Sequence, residues 1–176
     1  MPNKKLQPKT KDFTAFGKIW RIAICIAVPL GGGFLISMLT RNTMETFDAF
    51  NKPPLAPPAW LFPVAWTILY TLMGLASYFI FYAGFKSKSK DIKSKSKTAL
   101  IIYGIQLAIN FCWTLIFFNL GQFWFALVWL LIMWALIIAL LVKAFDLSRP
   151  AFFMLLPYLL WTTFAAYLNC SIAILN

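Results

Sequence analysis

Five long apolar runs separated by polar breaks set the plan of this chain. They lie at about 19–39, 59–85, 98–118, 123–142 and 151–175, and from residue 22 onward none of them contains Asp, Glu, Lys or Arg. Each is long enough for a helix to cross a hydrocarbon core of about 30 Å. A bilayer leaves no backbone group to water, so continuous apolar runs of this length predict helices. The expected fold is an all-α integral membrane protein: a single five-helix transmembrane domain over 19–176, behind a basic tail at 1–18.

The breaks differ in character. Residues 119–122 are barely a turn, which makes the third and fourth helices antiparallel neighbours. Residues 40–58 form a long connection, and long connections in compact bundles tend to be lids or binding loops. Its first half, TMETFDAF, predicts a short helix with Met44, Phe47 and Phe50 on one side. Its second half holds Pro53, Pro54, Pro57 and Pro58, which fix φ and stiffen the chain into a lid. Pro63 falls in the first turns of the second helix, where a missing donor costs least. Trp66 and Tyr70, four apart, put two rings on one helical face directly beneath that lid.

Composition agrees with the pattern: 61% of residues are hydrophobic, 18% aromatic and 12% charged, about half the charge of a soluble domain. The net charge of +11 changes the picture only through its placement. Lys4, Lys5, Lys9, Lys11, Lys18 and Arg21 precede the first span, and Lys86, Lys88, Lys90, Lys93, Lys95 and Lys97 fill the second connection. Lys143 and Arg149 flank the fourth, whereas the first holds Arg41 and Lys52 and the third holds none. This alternation predicts a multi-pass cell-membrane protein with its N-terminus in the cytoplasm and its C-terminus outside. The SKSKSK run reads as a solvated, topology-setting loop that touches anionic membrane lipid, not as a nucleic-acid site. The first span is too long for a signal-peptide core and no A-x-A-like site follows, so it reads as uncleaved. Gly31, Gly32 and Gly33 within it predict close helix packing.

The third span separates two faces. At about 100° per residue, Tyr103, Gln106, Asn110, Trp113 and Phe117 share an arc of roughly 80°. Amides in a bilayer must find partners, so this face points into the bundle or a cavity. Gly104 and Ala108 lie opposite, where a small-xxx-small pair predicts a homodimer interface. Among the tryptophans, Trp20, Trp60 and Trp124 read as interfacial belt residues, and Trp129 and Trp134 as packing or lipid-facing rings. Trp66, Trp113 and Trp161 lie deeper, where an indole N–H needs a partner. Ala165, one turn after Trp161, leaves space beside that ring. The inference is a cavity lined by spans two, three and five and closed by residues 47–58, suited to a flat, largely apolar ligand.

Conventional chemistry is missing from the spans. Cys25, Cys112 and Cys170 share no C-x-x-C spacing and read as packed small residues. The chain has no histidine, which removes the commonest metal ligand and the usual axial ligand of haem iron. No metal site and no required cofactor are expected.

The stretch KPPLAPPAWLFPVAWTILYTLMG resembles the signature of the TspO/MBR family, the tryptophan-rich sensory or translocator proteins, as do QLAINFCW and PYLLWTTFAAYLN downstream. The resemblance implies a five-helix membrane bundle, often a homodimer, that binds porphyrins such as protoporphyrin IX or haem, and aromatic drug-like ligands. Carried over by motif, it implies a pocket of Trp66, Tyr70, Asn110, Trp113, Trp161 and Ala165; the polar arc of the third span adds Gln106, and Phe47, Pro57 and Phe62 are added as candidates from the lid side. It also implies a light-driven porphyrin breakdown in some bacterial members, for which Trp66 and Trp161 are the candidate residues. The loop departs from the family pattern: Thr46-Phe47 stands where an aromatic pair is usual and Leu55 where a tryptophan is usual. No basic residue follows Tyr167, so the sterol motif is incomplete.

Three classes of function follow, in descending order. A tetrapyrrole receptor or sensor uses lid, rings and amides as they stand. An enzyme requires the indoles themselves to react, because no acid, base, nucleophile or metal set lies in the spans. A transporter of porphyrins or other lipophiles would ordinarily carry an intramembrane carboxylate or a broken helix pair if it were ion-coupled.

Overall fold

The computed structural model describes residues 14–40, 47 and 49–176. Five helices are long and apolar enough to cross a membrane, and there is no strand among the described residues. They are α1 (Ala15–Leu39), α2 (Leu61–Lys86), α3 (Lys90–Thr114), α4 (Phe123–Leu147) and α5 (Arg149–Leu175). The expected short helix over TMETFDAF, with Met44, falls largely outside the described residues.

Local chemistry accounts for the ends. The Thr14 hydroxyl accepts from the Gly17 N–H at the start of α1, and the Ser148 hydroxyl accepts from the Ala151 N–H at the start of α5. Pro150 occupies the first turn of α5, where its missing donor is not needed. After α3 the chain makes one π-helical turn, Leu115–Asn119, in which the Leu120 N–H donates to Leu115 O. Gly121 then reverses direction at φ +60.

The second connection is shorter than the sequence suggested. The basic run expected as a loop to Lys97 is helical from Lys90, leaving only residues 87–89 between α2 and α3. The run contains neither Gly nor Pro, lysine is a good helix former, Asp91 sits in the first turn, and Lys95 Nζ bridges its carboxylate at 2.9 Å. The apolar run begins at residue 98, whereas the helix begins two turns before it. In the same way α1, α4 and α5 each overrun their apolar runs by a few residues.

Packing makes a closed ring of α2, α3, α4 and α5, with α5 returning to α2; α1 lies outside it, mainly on α2 and with a lighter edge on α3. Small residues set the close approaches. A Cβ on Gly74 would come within 2.6 Å of backbone atoms of Cys25 and Ile26, so α1 and α2 touch backbone to backbone there. On α1, Gly33 faces the Tyr70 ring and Gly32 faces Phe111 with no room for a Cβ. The core of the ring is apolar and layered, with Met73, Ile80, Leu130, Met133, Ile137, Leu140, Leu155 and Ile172 buried.

Candidate ligand-binding site

A cavity of about 500 Å³ opens between α1, α2 and the end of α3, within the range usual for small-molecule sites. The sequence of α2 builds one wall. Phe62, Trp66 and Tyr70 recur every four residues and so form one inward stripe, with Trp66 and Tyr70 5.2 Å apart and tilted by 30°. Trp113 and Phe118 supply the α3 side, and Leu30, Phe34 and Ser37 the α1 side. Phe47 reaches in from the first connection, edge-on to Phe62 at 5.0 Å, and the Lys52 ammonium lies 4.7 Å from its ring centre. Further along the same connection, Phe50 packs on Phe117 and Phe123. Asn51 and Asn176 are joined by two hydrogen bonds: Asn51 N–H donates to Asn176 Oδ1 at 2.9 Å, and Asn176 Nδ2 donates to Asn51 O at 3.1 Å.

Behind this wall runs a buried polar chain through three helices. The Tyr70 hydroxyl donates to Asn110 Oδ1 at 2.7 Å, Asn110 Nδ2 donates to the Tyr158 hydroxyl at 3.3 Å, and that hydroxyl donates to Gln106 Oε1 at 2.7 Å. Gln106, Asn110 and Tyr158 are fully buried. A second junction lies toward the C-terminal end of α5, where Trp113 Nε1 donates to Asn169 Oδ1 and Asn169 Nδ2 donates to Phe123 O. The hydroxyls of Ser37, Thr40, Thr67 and Thr114 on the cavity wall all donate to carbonyls of their own helices. The Trp66 indole N–H, by contrast, makes no hydrogen bond among the described residues. The cavity therefore offers aromatic faces, no ionisable group other than the Tyr70 phenol among its described lining, and one uncommitted donor.

The structure brings together Phe47, Phe62, Trp66, Tyr70 and Trp113 on the cavity, with Asn110 and Gln106 behind Tyr70 in the core. It does not bring in the rest. The cavity wall is α1, α2 and α3, not spans two, three and five, because Tyr158, Thr162, Ala165 and Asn169 form the inner stripe of α5 and seal it against the ring. Ala165 is thus buried in helix packing. Trp161 lies off that stripe, beyond Phe62 at 6.0 Å, in a shallow outward groove with Pro157, Leu160 and Phe164. Pro57 is half-buried in the connection and off the cavity. Gly104 and Ala108 are exposed on the outer side of α3, with open space around Gly104. Among the described residues no group of three metal-ligating side chains converges.

Sequence reasoning missed Tyr158 and the α1 wall. Tyr158 had a signal: a phenol in the middle of a span must find a hydrogen-bond partner, and it repeats with Thr162, Ala165 and Asn169 at helical spacing. The α1 wall had only a partial one, the close-packing run Gly31, Gly32 and Gly33, since the rest of the span beyond Arg21 is apolar on nearly every side.

The family model described as the TspO/MBR family matches residues 25–175 of the chain. A tryptophan-rich protein TspO of Chlorobaculum tepidum is 34% identical over 90% of this chain and 98% of its own length. A translocator protein of Bos taurus is 36% identical over 81% of this chain and 82% of its own length. A tryptophan-rich sensory protein of Cereibacter sphaeroides is 37% identical over 75% of this chain and 77% of its own length.

Proposed function

Because the chain belongs to the TspO/MBR family, we propose that it is a membrane receptor that takes a flat aromatic ligand, a tetrapyrrole of the protoporphyrin IX type, into the cavity between α1, α2 and α3. One observation carries this reading: the cavity is walled by Phe47, Phe62, Trp66, Tyr70 and Trp113, and among its described lining the side-chain donors are spent internally except for the Trp66 N–H. A porphyrin presents two wide apolar faces to such rings and a polar edge to that donor. The names of the relatives, sensory protein and translocator protein, agree with recognition of a small molecule in the membrane. We place the N-terminus and the basic start of α3 in the cytoplasm, on the alternation of basic residues. We also propose a homodimer through the open Gly104 and Ala108 face.

Titration of the purified protein with protoporphyrin IX, haem and a sterol, followed by tryptophan fluorescence, tests the reading. Saturable quenching by protoporphyrin that is lost in Trp66→Leu supports it. Undiminished binding by that variant places the ligand elsewhere.

A second reading, light-driven porphyrin breakdown, draws on the exposure of the Trp66 ring to the cavity. Of the two candidate indoles, only Trp66 stands on that wall.

A further inference from the structure

We propose a binding site for one anionic phospholipid on the outside of the bundle, in the groove between the basic ends of α2 and α3. It is separate from the cavity and does not depend on what the cavity binds.

The groove begins at a close approach of the two helices. A Cβ on Gly84 would lie within 2.6 Å of Ser96 Cβ, and the Ser96 hydroxyl donates to Ile80 O at 2.8 Å, so Ser96 is drawn into α2 and the floor is low. Phe81 and Phe85, stacked at 6.1 Å and 27°, form one wall, while Leu100 and Ile101 form the other. Lys93 and Lys97, both exposed, stand at the polar end of the volume of about 430 Å³.

Charge and depth identify the occupant. Lys93 and Lys97 are one turn apart, so two like charges face the same side of α3 and favour an anion between them. Asp91, which could neutralise one of them, is taken by Lys95 at 2.9 Å, and among the described residues neither Lys93 nor Lys97 has an ion pair. The apolar run of α3 begins at residue 98, immediately below Lys97, so the groove passes from the level of phosphate groups to the level of acyl chains within two turns. A phosphodiester at the lysines with a chain along Phe81, Phe85 and Ile101 satisfies both ends. A free phosphate satisfies only one. The bilayer supplies the lipid continuously, and basic interfacial residues on this side face the anionic leaflet.

The test uses the full chain in detergent with phosphatidylglycerol or phosphatidylcholine added, read by native mass spectrometry and by thermal stabilisation. Phosphatidylglycerol should be retained and should stabilise the protein, and phosphatidylcholine should do so at least tenfold less. The double variant Lys93→Gln/Lys97→Gln should weaken phosphatidylglycerol retention about tenfold or more. The equal-charge control Lys88→Gln/Lys143→Gln, outside the groove and leaving the Lys95–Asp91 pair intact, should change it less than twofold. Phe81→Ala should weaken retention without altering the preference for the anionic headgroup. Equal losses in the two double variants would reduce the effect to diffuse charge and overturn the site. Stabilisation by inorganic phosphate alone, or equal retention of phosphatidylcholine, would also overturn it.

Discussion

The phenol of Tyr70 lines the ligand cavity, and its hydroxyl is held 2.7 Å from Oδ1 of Asn110, which no solvent reaches. The ring that faces the cavity is thus fixed by an amide that does not reach it. Asn110 in turn rests on Tyr158, so the cavity wall is tied to α5.

Asn110→Ala is therefore expected to act twice. It strands the buried Tyr70 hydroxyl, while that of Tyr158 keeps its bond to Gln106, costing about 1–3 kcal/mol of stability, and it frees the Tyr70 ring to move, which should weaken protoporphyrin binding. Gln106→Leu should cost less. Gln106 Nε2 has no partner among the described residues, so that change removes one hydrogen bond and one stranded donor together. Thermal unfolding of both variants beside ligand titration checks the order.

The two candidate indoles should separate under light. If porphyrin loss on illumination runs through an indole, Trp66→Phe should abolish it while binding holds, and Trp161→Phe should leave it intact, because the Phe62 ring stands between Trp161 and the cavity. Loss of the light reaction in Trp161→Phe alone would contradict this arrangement.

Gly33→Ala should impair binding far more than Gly31→Ala. A Cβ on Gly33 meets the Tyr70 ring, whereas nothing lies within 4 Å of one on Gly31. Equal affinities in the two variants would show that α1 is not a wall of the site.

Replacement of Gly104 by leucine should shift the detergent-solubilised protein toward monomer by light scattering, with ligand affinity retained, since the residue faces away from the cavity. An unchanged mass would remove the dimer proposal.

Cysteines introduced at Ser89 and Leu55 in a cysteine-free background should label from opposite sides of the membrane, with Ser89 inside. Both positions are exposed. Same-side labelling would reverse the reading of the basic residues.

How far the sequence reached can be judged on α3. Its two faces were legible because periodicity is a direct image of burial: Tyr103, Gln106, Asn110, Trp113 and Phe117 are all buried, and Gly104 and Ala108 are exposed. Its beginning was not, since lysine and serine are equally at home in a solvated helix and a loop. The pocket was half legible. Phe62, Trp66 and Tyr70 share a stripe that spacing reveals, but Trp161 rests on depth and on the family motif, and neither says which way a ring points. The role of α1 was legible only as close packing at Gly31, Gly32 and Gly33; its share in the cavity wall was not, because the apolar residues around them face every side.

That helix differs from the other four in how it is held. Between residues 22 and 38, and among the described residues, no side chain of α1 hydrogen-bonds another helix; a bond from Asn119 to Leu39 O secures its last turn. The remaining helices are joined across the bundle by Tyr70, Asn110, Tyr158, Gln106 and Asn169, whose bonds are either made or broken. Contacts of the first kind soften gradually with displacement, whereas those of the second resist until they snap. The molecule is mechanically a bolted frame with one panel resting against it, and the compliance of the cavity resides in the panel.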